Sequence, residues 1–248
     1  MNLSFEVNND LLFSSLLFSN KSEAKSLCIP LKNNLWEKYK LSYNHFLKGN
    51  DYRNIFFNTD NNLNELLIQT KQMLKEGIKT EEFKKLLSDT EEYKKWLENE
   101  WNNKKEIVIN ILEDILRIKL PSNKVTVYVV DPRVGGGSYL GNNKIFWGHK
   151  EDWNNYNVVY LAHEFLHTFI PSGEIEHCII ELATDNELRI RLNGEGEYFI
   201  EGGQKVGHGY LKDKENYLLP FWKDYLVNRD KDIYKFIEYL KQKDHKDI

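Results

Sequence analysis

Residues 158–170 run Val-Val-Tyr-Leu-Ala-His-Glu-Phe-Leu-His-Thr-Phe-Ile, apolar nearly all the way round a helical wheel. A helix of that texture is buried inside its molecule. The same segment nevertheless carries two imidazoles and a carboxylate, His163, Glu164 and His167. A buried carboxylate without a partner is very costly, so the fold must bring a compensating group to this helix.

A metal ion meets that requirement directly. Residues four apart lie one turn apart on one helix face, so His163 and His167 can offer two nitrogens to one tetrahedral Zn²⁺ at roughly 2.1 Å. Glu164 projects about 100° from His163 and can reach a metal-bound water without binding the metal. By composition, H-E-x-x-H is expected by chance roughly 0.02 times in a chain of 248 residues with 7 His. The bland alternative is a pair of core histidines and a Glu satisfied by hydrogen bonds.

A catalytic zinc takes three protein ligands and leaves one position open. Position 173 is Gly, which excludes a ligand six residues after His167. Pro171-Ser172-Gly173 stops the first helix, and a second is expected from near Glu174. If the two pack antiparallel, His177 and Glu181 straddle the level of the metal. His177, Glu181 and Asp185 then share a face at i, i+4, i+8 spacing. Glu181 is the expected third ligand and His177 its rival. Asp185 is placed to accept the hydrogen bond from the second nitrogen of His163.

His163-Glu164-x-x-His167 followed by Glu181-x-x-x-Asp185 resembles the gluzincin branch of zinc metallopeptidases, the thermolysin-like pattern, over about residues 125–192. The resemblance implies one zinc per chain bound by two His and one Glu, with Glu164 as general base and Asp185 orienting a ligand. It implies a zincin-like fold and a peptide or protein substrate paired with an upstream edge strand, where Lys144, Ile145, Phe146 and Trp147 fall. Gluzincins also commonly supply a downstream His or Tyr to the developing oxyanion. In Gly207-His208-Gly209-Tyr210, His208 is the first candidate for that role and Tyr210 the second. His149 is expected to be structural or at the surface, and His45 and His245 carry no signal.

Around this segment the expected fold class is α+β, mainly helical, with a small antiparallel sheet before the zinc-binding helix. Residues 1–120 are expected to form a mainly helical region, with a short strand over Met1–Val7 and a helix from Asn62 to Leu74 stopped at Gly77. A further helix opens at Thr80, and an amphipathic run over 107–116 ends at Pro121. Residues 121–248 form the catalytic region and C-terminal helices, and the two regions are compatible with one compact unit. Val125–Val130 is rich in β-branched residues and suits a strand. Gly141-Asn142-Asn143 suits the turn of a hairpin between Ser138–Leu140 and Lys144–Trp147. Gly135-Gly136-Gly137 has no Lys-Ser/Thr behind it, so it is no phosphate loop and is expected as a turn beside a site.

Acid and base interleave at a formal net charge of -4, with no basic stripe to track phosphates, so nucleic acid is not an expected partner. The apolar stretch Leu11–Phe18 is preceded by Glu6 and Asp10 and by no Lys or Arg, a poor signal peptide and too short to span a bilayer. With two cysteines and no disulfide framework, a cytoplasmic protein without membrane association is expected. The leading function is zinc-dependent peptide hydrolysis. The alternatives are hydrolysis of a non-peptide amide or ester, and a non-catalytic zinc-containing binding or scaffold protein.

Overall fold

The computed structural model describes residues 1–40, 42–43, 64–228 and 230–244. The start of the expected helix at Asn62 and Leu63, and also His45 and His245, lie outside the described residues. The fold is α+β and mainly helical.

Strand β1 (Asn2–Glu6) pairs in parallel with β2 (Lys124–Val129), Phe5 opposite Val127. The chain's first strand thus enters the sheet next to a partner 122 residues away, Asn2 opposite Lys124. In β2 the side chains of Val125, Val127 and Val129 are buried while the alternate residues are less so, the period-2 pattern of a strand with one face packed more fully than the other. Then come β3 (Gly137–Gly141) and β4 (Lys144–Trp147), an antiparallel hairpin turned at Gly141, Asn142 and Asn143, all with positive φ. Gly and Asn are the residues that tolerate this conformation best.

The strand order is β1-β2-β4-β3, with β4 parallel to β2. Two expectations are corrected here. The sheet is mixed rather than antiparallel, because β1 and β2 are joined by a long helical crossover and not a hairpin. Lys144–Trp147 is not an edge strand: β4 lies between β2 and β3, with Ile145, Phe146 and Trp147 buried. The edge on that side is β3.

The N-terminal helices are α1 (Asn9–Phe18), α2 (Ser22–Ser26), α3 (Ile29–Lys38) and α4 (Asn64–Gly77). The next, α5, runs unbroken over 36 residues, Glu81–Leu116, where a separate run over 107–116 was expected. Nothing between them is Gly or Pro, so no backbone term interrupts the helix. The Thr80 hydroxyl caps it by accepting from the Phe83 N–H at 3.3 Å. Beyond its end, the Arg117 guanidinium donates to the carbonyls of Tyr225, Leu226, Asn228 and Lys231. Those oxygens lie at and beyond the end of a C-terminal helix, where carbonyls lack intrahelical partners.

After the sheet come α6 (Tyr156–Leu166), α7 (Glu174–Glu181), a π-helical turn (Leu182–Leu188) and α8 (Arg189–Asn193). A two-stranded ribbon, β5 (Ile200–Glu201) with β6 (Gln204–Lys205), precedes α9 (Lys212–Val227) and α10 (Ile233–Asp244). The larger core gathers β2, the C-terminal half of α5, α6, α7, α9 and α10. A second core joins α1, α3, α4 and the start of α5 to the opposite face of the sheet. Strand β4 serves both, giving Ile145 and Trp147 to the first and Phe146 to the second. Among the described residues, no helix is long and apolar enough to cross a membrane.

Candidate metal centre

Helix α6 is fixed at its start by one buried residue. The Asn157 side-chain Oδ1 accepts from Trp147 Nε1 at 2.7 Å and from the Tyr93 hydroxyl at 3.0 Å, and its side-chain Nδ2 donates to Glu151 at 2.6 Å. This ties α6 to β4 and α5 and sets the angle at which its later turns meet the cleft.

Two turns on, His163 is buried. Its Nδ1 donates to Asp185 Oδ1 at 2.8 Å, a pair with neither side chain open to solvent. Asp185 sits in the π-helical turn and also accepts from Thr184 Oγ1 at 2.9 Å. π-Helical turns are rare and concentrate at functional sites. With Nδ1 committed, the His163 nitrogen facing the cleft is Nε2, and it lies 3.2 Å from His167 Nε2. Two nitrogens each about 2.1 Å from one tetrahedral ion would sit about 3.4 Å apart, so this separation suits joint ligation.

The third imidazole comes from α7. The His177 ring centroid lies 5.4 Å from that of His163 and 4.9 Å from that of His167. Its Nε2 is buried and has no hydrogen-bond partner. Among the described residues, ligand atoms of His163, His167 and His177 lie within 4.8 Å of one another. The nearest acid is Glu181, whose Oε1 lies 3.8 Å from that nitrogen, and an orphaned buried nitrogen on a ring set against two other imidazoles is what a cation would satisfy.

Glu181, the expected third ligand, does not join that group. It is grouped instead with His177 and His208. Its carboxylate accepts from the His208 backbone N–H, 3.0 Å from each oxygen, and from the His208 ring Nδ1 at 2.5 Å. Burial raises the Glu181 carboxyl, but the bonds from His208 outweigh it and the net shift is downward. The rival, His177, is the residue that completes a convergent triad.

Glu164 follows His163 and is nearly fully buried. Burial pushes its carboxyl above the usual range, opposed by His163 and by the backbone N–H of Tyr139, which donates to it. Burial also lowers the imidazole of His167, to about 3, and that of His177, to about 4, with the charge of His163 adding in each case. Both rings are therefore neutral at ordinary pH, as ligation requires. Burial lowers His163 too, but Asp185 outweighs it and lifts the ring to about 9. A positive charge at His163, whether proton or metal, is what this buried carboxylate compensates.

The open cleft over these groups is lined by Gly137, Ser138 and Tyr139 of β3 together with Ser172 and His208. Tyr210 stands beside it, 72% exposed, its ring 5.5 Å from that of His208 and 6.4 Å from that of His177. His149 is packed between Trp147 and Tyr156, apart from the cleft, and burial lowers its ring to about 4.

Sequence reasoning missed Tyr139, whose N–H reaches Glu164, and the whole contribution of β3. The glycine run at 135–137 was the available signal. A Cβ at Gly135 would lie 2.7 Å from Gly148 Cα, so only glycine lets the start of the hairpin close as tightly as it does. No protein-family model, curated protein or solved structure matches the chain.

Proposed function

We propose that this chain is a zinc-dependent hydrolase of zincin-like design that cleaves peptide bonds. The observation that carries the reading is the convergence of His163, His167 and His177 beside a buried Glu164 in an open cleft. The donor set fits zinc: three imidazoles, one with an orphaned nitrogen, and an orienting carboxylate behind His163. This ligand set departs from the gluzincin pattern, in which a Glu takes the third place.

Bound there, zinc supplies a Lewis acid and lowers the pKa of a water to about 7. The chain's residues account for the rest. Glu164 takes the proton of the attacking water, and its raised carboxyl is a stronger base for that task than an exposed one. Tyr139 N–H holds the Glu164 carboxylate from the strand side, and Asp185 holds the His163 ring. His208 lines the opposite side of the cleft.

A peptide is favoured over a smaller amide or ester by the wall of the cleft. Strand β3 ends the sheet, and among the described residues no further strand flanks it. An unpaired strand edge offers backbone hydrogen bonds to an extended chain. The test is Glu164→Gln, assayed on an unstructured polypeptide. It is expected to keep its zinc and to lose at least about 10²-fold in kcat, because an amide cannot accept the proton. Normal turnover in that variant would remove Glu164 from the chemistry.

A further inference from the structure

We propose that Arg189 is a positioning residue of the metal centre: it holds Asp185, and through it His163, from the β5–β6 ribbon, with Glu201 as its charge partner. This rests on the zinc reading of the site and extends it. Arg189 opens α8 and is fully buried, where an isolated guanidinium would be very costly. Three acceptors satisfy it: the Glu201 carboxylate of β5 takes Nη1, the Glu197 carbonyl takes Nη2 at 2.5 Å, and the Asp185 carbonyl takes Nε at 2.7 Å. A planar guanidinium serves acceptors in several fixed directions at once, so ribbon and metal-supporting turn meet on one side chain.

The π-helical turn makes room for this contact. In its register the Arg189 backbone N–H bonds the carbonyls of Thr184 and Asn186 and passes over Asp185. The side chain of the same residue takes the Asp185 carbonyl instead. Asp185 is thereby held on two sides, its backbone oxygen by Arg189 and its carboxylate by His163 Nδ1 at 2.8 Å. Asn186, also fully buried, repeats the arrangement one residue on. Its Nδ2 donates to the Glu181 carbonyl at 3.0 Å, and its Oδ1 accepts from the Phe199 N–H at 2.7 Å. A ribbon of two residues per strand is too short to keep its place by its own ladder, so these contacts dock it on the turn.

The consequence is for the metal. A carboxylate that orients a ligating imidazole supports metal affinity only while its own position is fixed. Asp185 cannot shift along the turn without stripping a buried guanidinium of one acceptor. Disturbing Arg189 therefore loosens His163 while leaving every proposed ligand and Glu164 in the chain.

The experiment uses the full chain, with zinc affinity by chelator competition and the His163 Nδ1–H signal by ¹H–¹⁵N NMR of the metal-free chain. Arg189→Met fills similar space without donors. It should weaken zinc binding about 10-fold, the lower end of the range for groups that support a ligand, and shift the His163 signal. Arg189→Lys keeps a charge for Glu201 but has one nitrogen for three acceptors, so it should restore stability more than zinc affinity. In an Asp185→Ala chain, which keeps the backbone carbonyl and loses the carboxylate, Arg189→Met should weaken zinc binding no further. An equal further loss in that background overturns the proposal, because Arg189 would then act through the fold at large. Wild-type affinity in Arg189→Lys, or an unchanged affinity or His163 signal in Arg189→Met, overturns it too. If Arg189→Met fails to fold, Glu201→Ala carries the test, since that side chain is 21% exposed. Weaker zinc binding and a shifted His163 signal are expected there, and a wild-type value of either overturns the proposal. Neither readout needs turnover. A loaded chain without activity would remove the hydrolase reading alone, and in a chain that binds no zinc the His163 signal still decides whether Arg189 holds Asp185.

Discussion

Asp185 Oδ1 lies 2.8 Å from His163 Nδ1, and neither side chain is reached by solvent. The bond fixes the tautomer and plane of the imidazole and leaves Nε2 as the nitrogen that faces His167 and His177. Removing the carboxylate frees the ring to rotate and leaves a cavity beside it. Asp185→Ala is expected to weaken zinc binding about 10–100-fold, measured by competition with a chelator. An affinity unchanged from the wild type would mean that His163 is oriented by its packing alone.

The backbone N–H of Tyr139 is the link between the edge strand and the general base. Tyr139→Pro removes that donor, and proline is tolerated on an edge strand. A hydrogen bond to a charged group is worth about 1.5–3 kcal/mol, so kcat/KM should fall about 10–100-fold with zinc content unchanged. Loss of zinc in this variant would show that β3 supports the metal site itself.

His149 gives a pH dependence separate from the cleft. Its ring is lowered to about 4 in the folded chain by burial, then by Lys21. Above an unfolded-state value near 6.5 the ring is neutral in both states and its contribution is constant. As pH falls from about 6.5 toward 4, the unfolded chain takes up a proton that the folded chain does not, so stability falls. His149→Gln should therefore lose less stability than the wild type between pH 7 and pH 4.5, by roughly 2 kcal/mol in denaturant midpoints converted to free energy. Parallel curves for the two proteins would show that His149 is protonated while folded.

The local parts of the site were legible in the sequence and the non-local parts were not. His163, Glu164 and His167 are related by one helical turn, and that geometry is independent of the rest of the fold. The pairing of His163 with Asp185 also followed, because both lie on the far side of the metal level from the loop at Pro171–Gly173. Glu181 and its rival His177 lie one turn apart on the same regular helix, so spacing alone does not separate them; the structure groups His177 with His163 and His167, and Glu181 with His177 and His208. The π-helical turn begins at Leu182, between the two acids, and changes the phase of everything after it. Asp185, within that turn, bonds His163, and Glu181, before it, bonds His208. The edge strand was misassigned for a different reason. Strand order depends on β1 and β2 pairing across 122 residues, and nothing in Lys144–Trp147 distinguishes an interior strand from an edge. His208 was found as a candidate from its flanking glycines, but its partner was not, since the contact with Glu181 exists only in three dimensions.

The central claim is that one zinc is held by His163, His167 and His177. Zinc-edge X-ray absorption on the full chain, loaded with one equivalent of zinc, tests it most directly. The expected spectrum shows three imidazole nitrogens at about 2.0–2.1 Å with one further light-atom ligand, and loses one imidazole contribution in His177→Ala while remaining unchanged in Glu181→Ala. A chain that binds no zinc, or a spectrum with two imidazoles that changes on Glu181→Ala and not on His177→Ala, would contradict it.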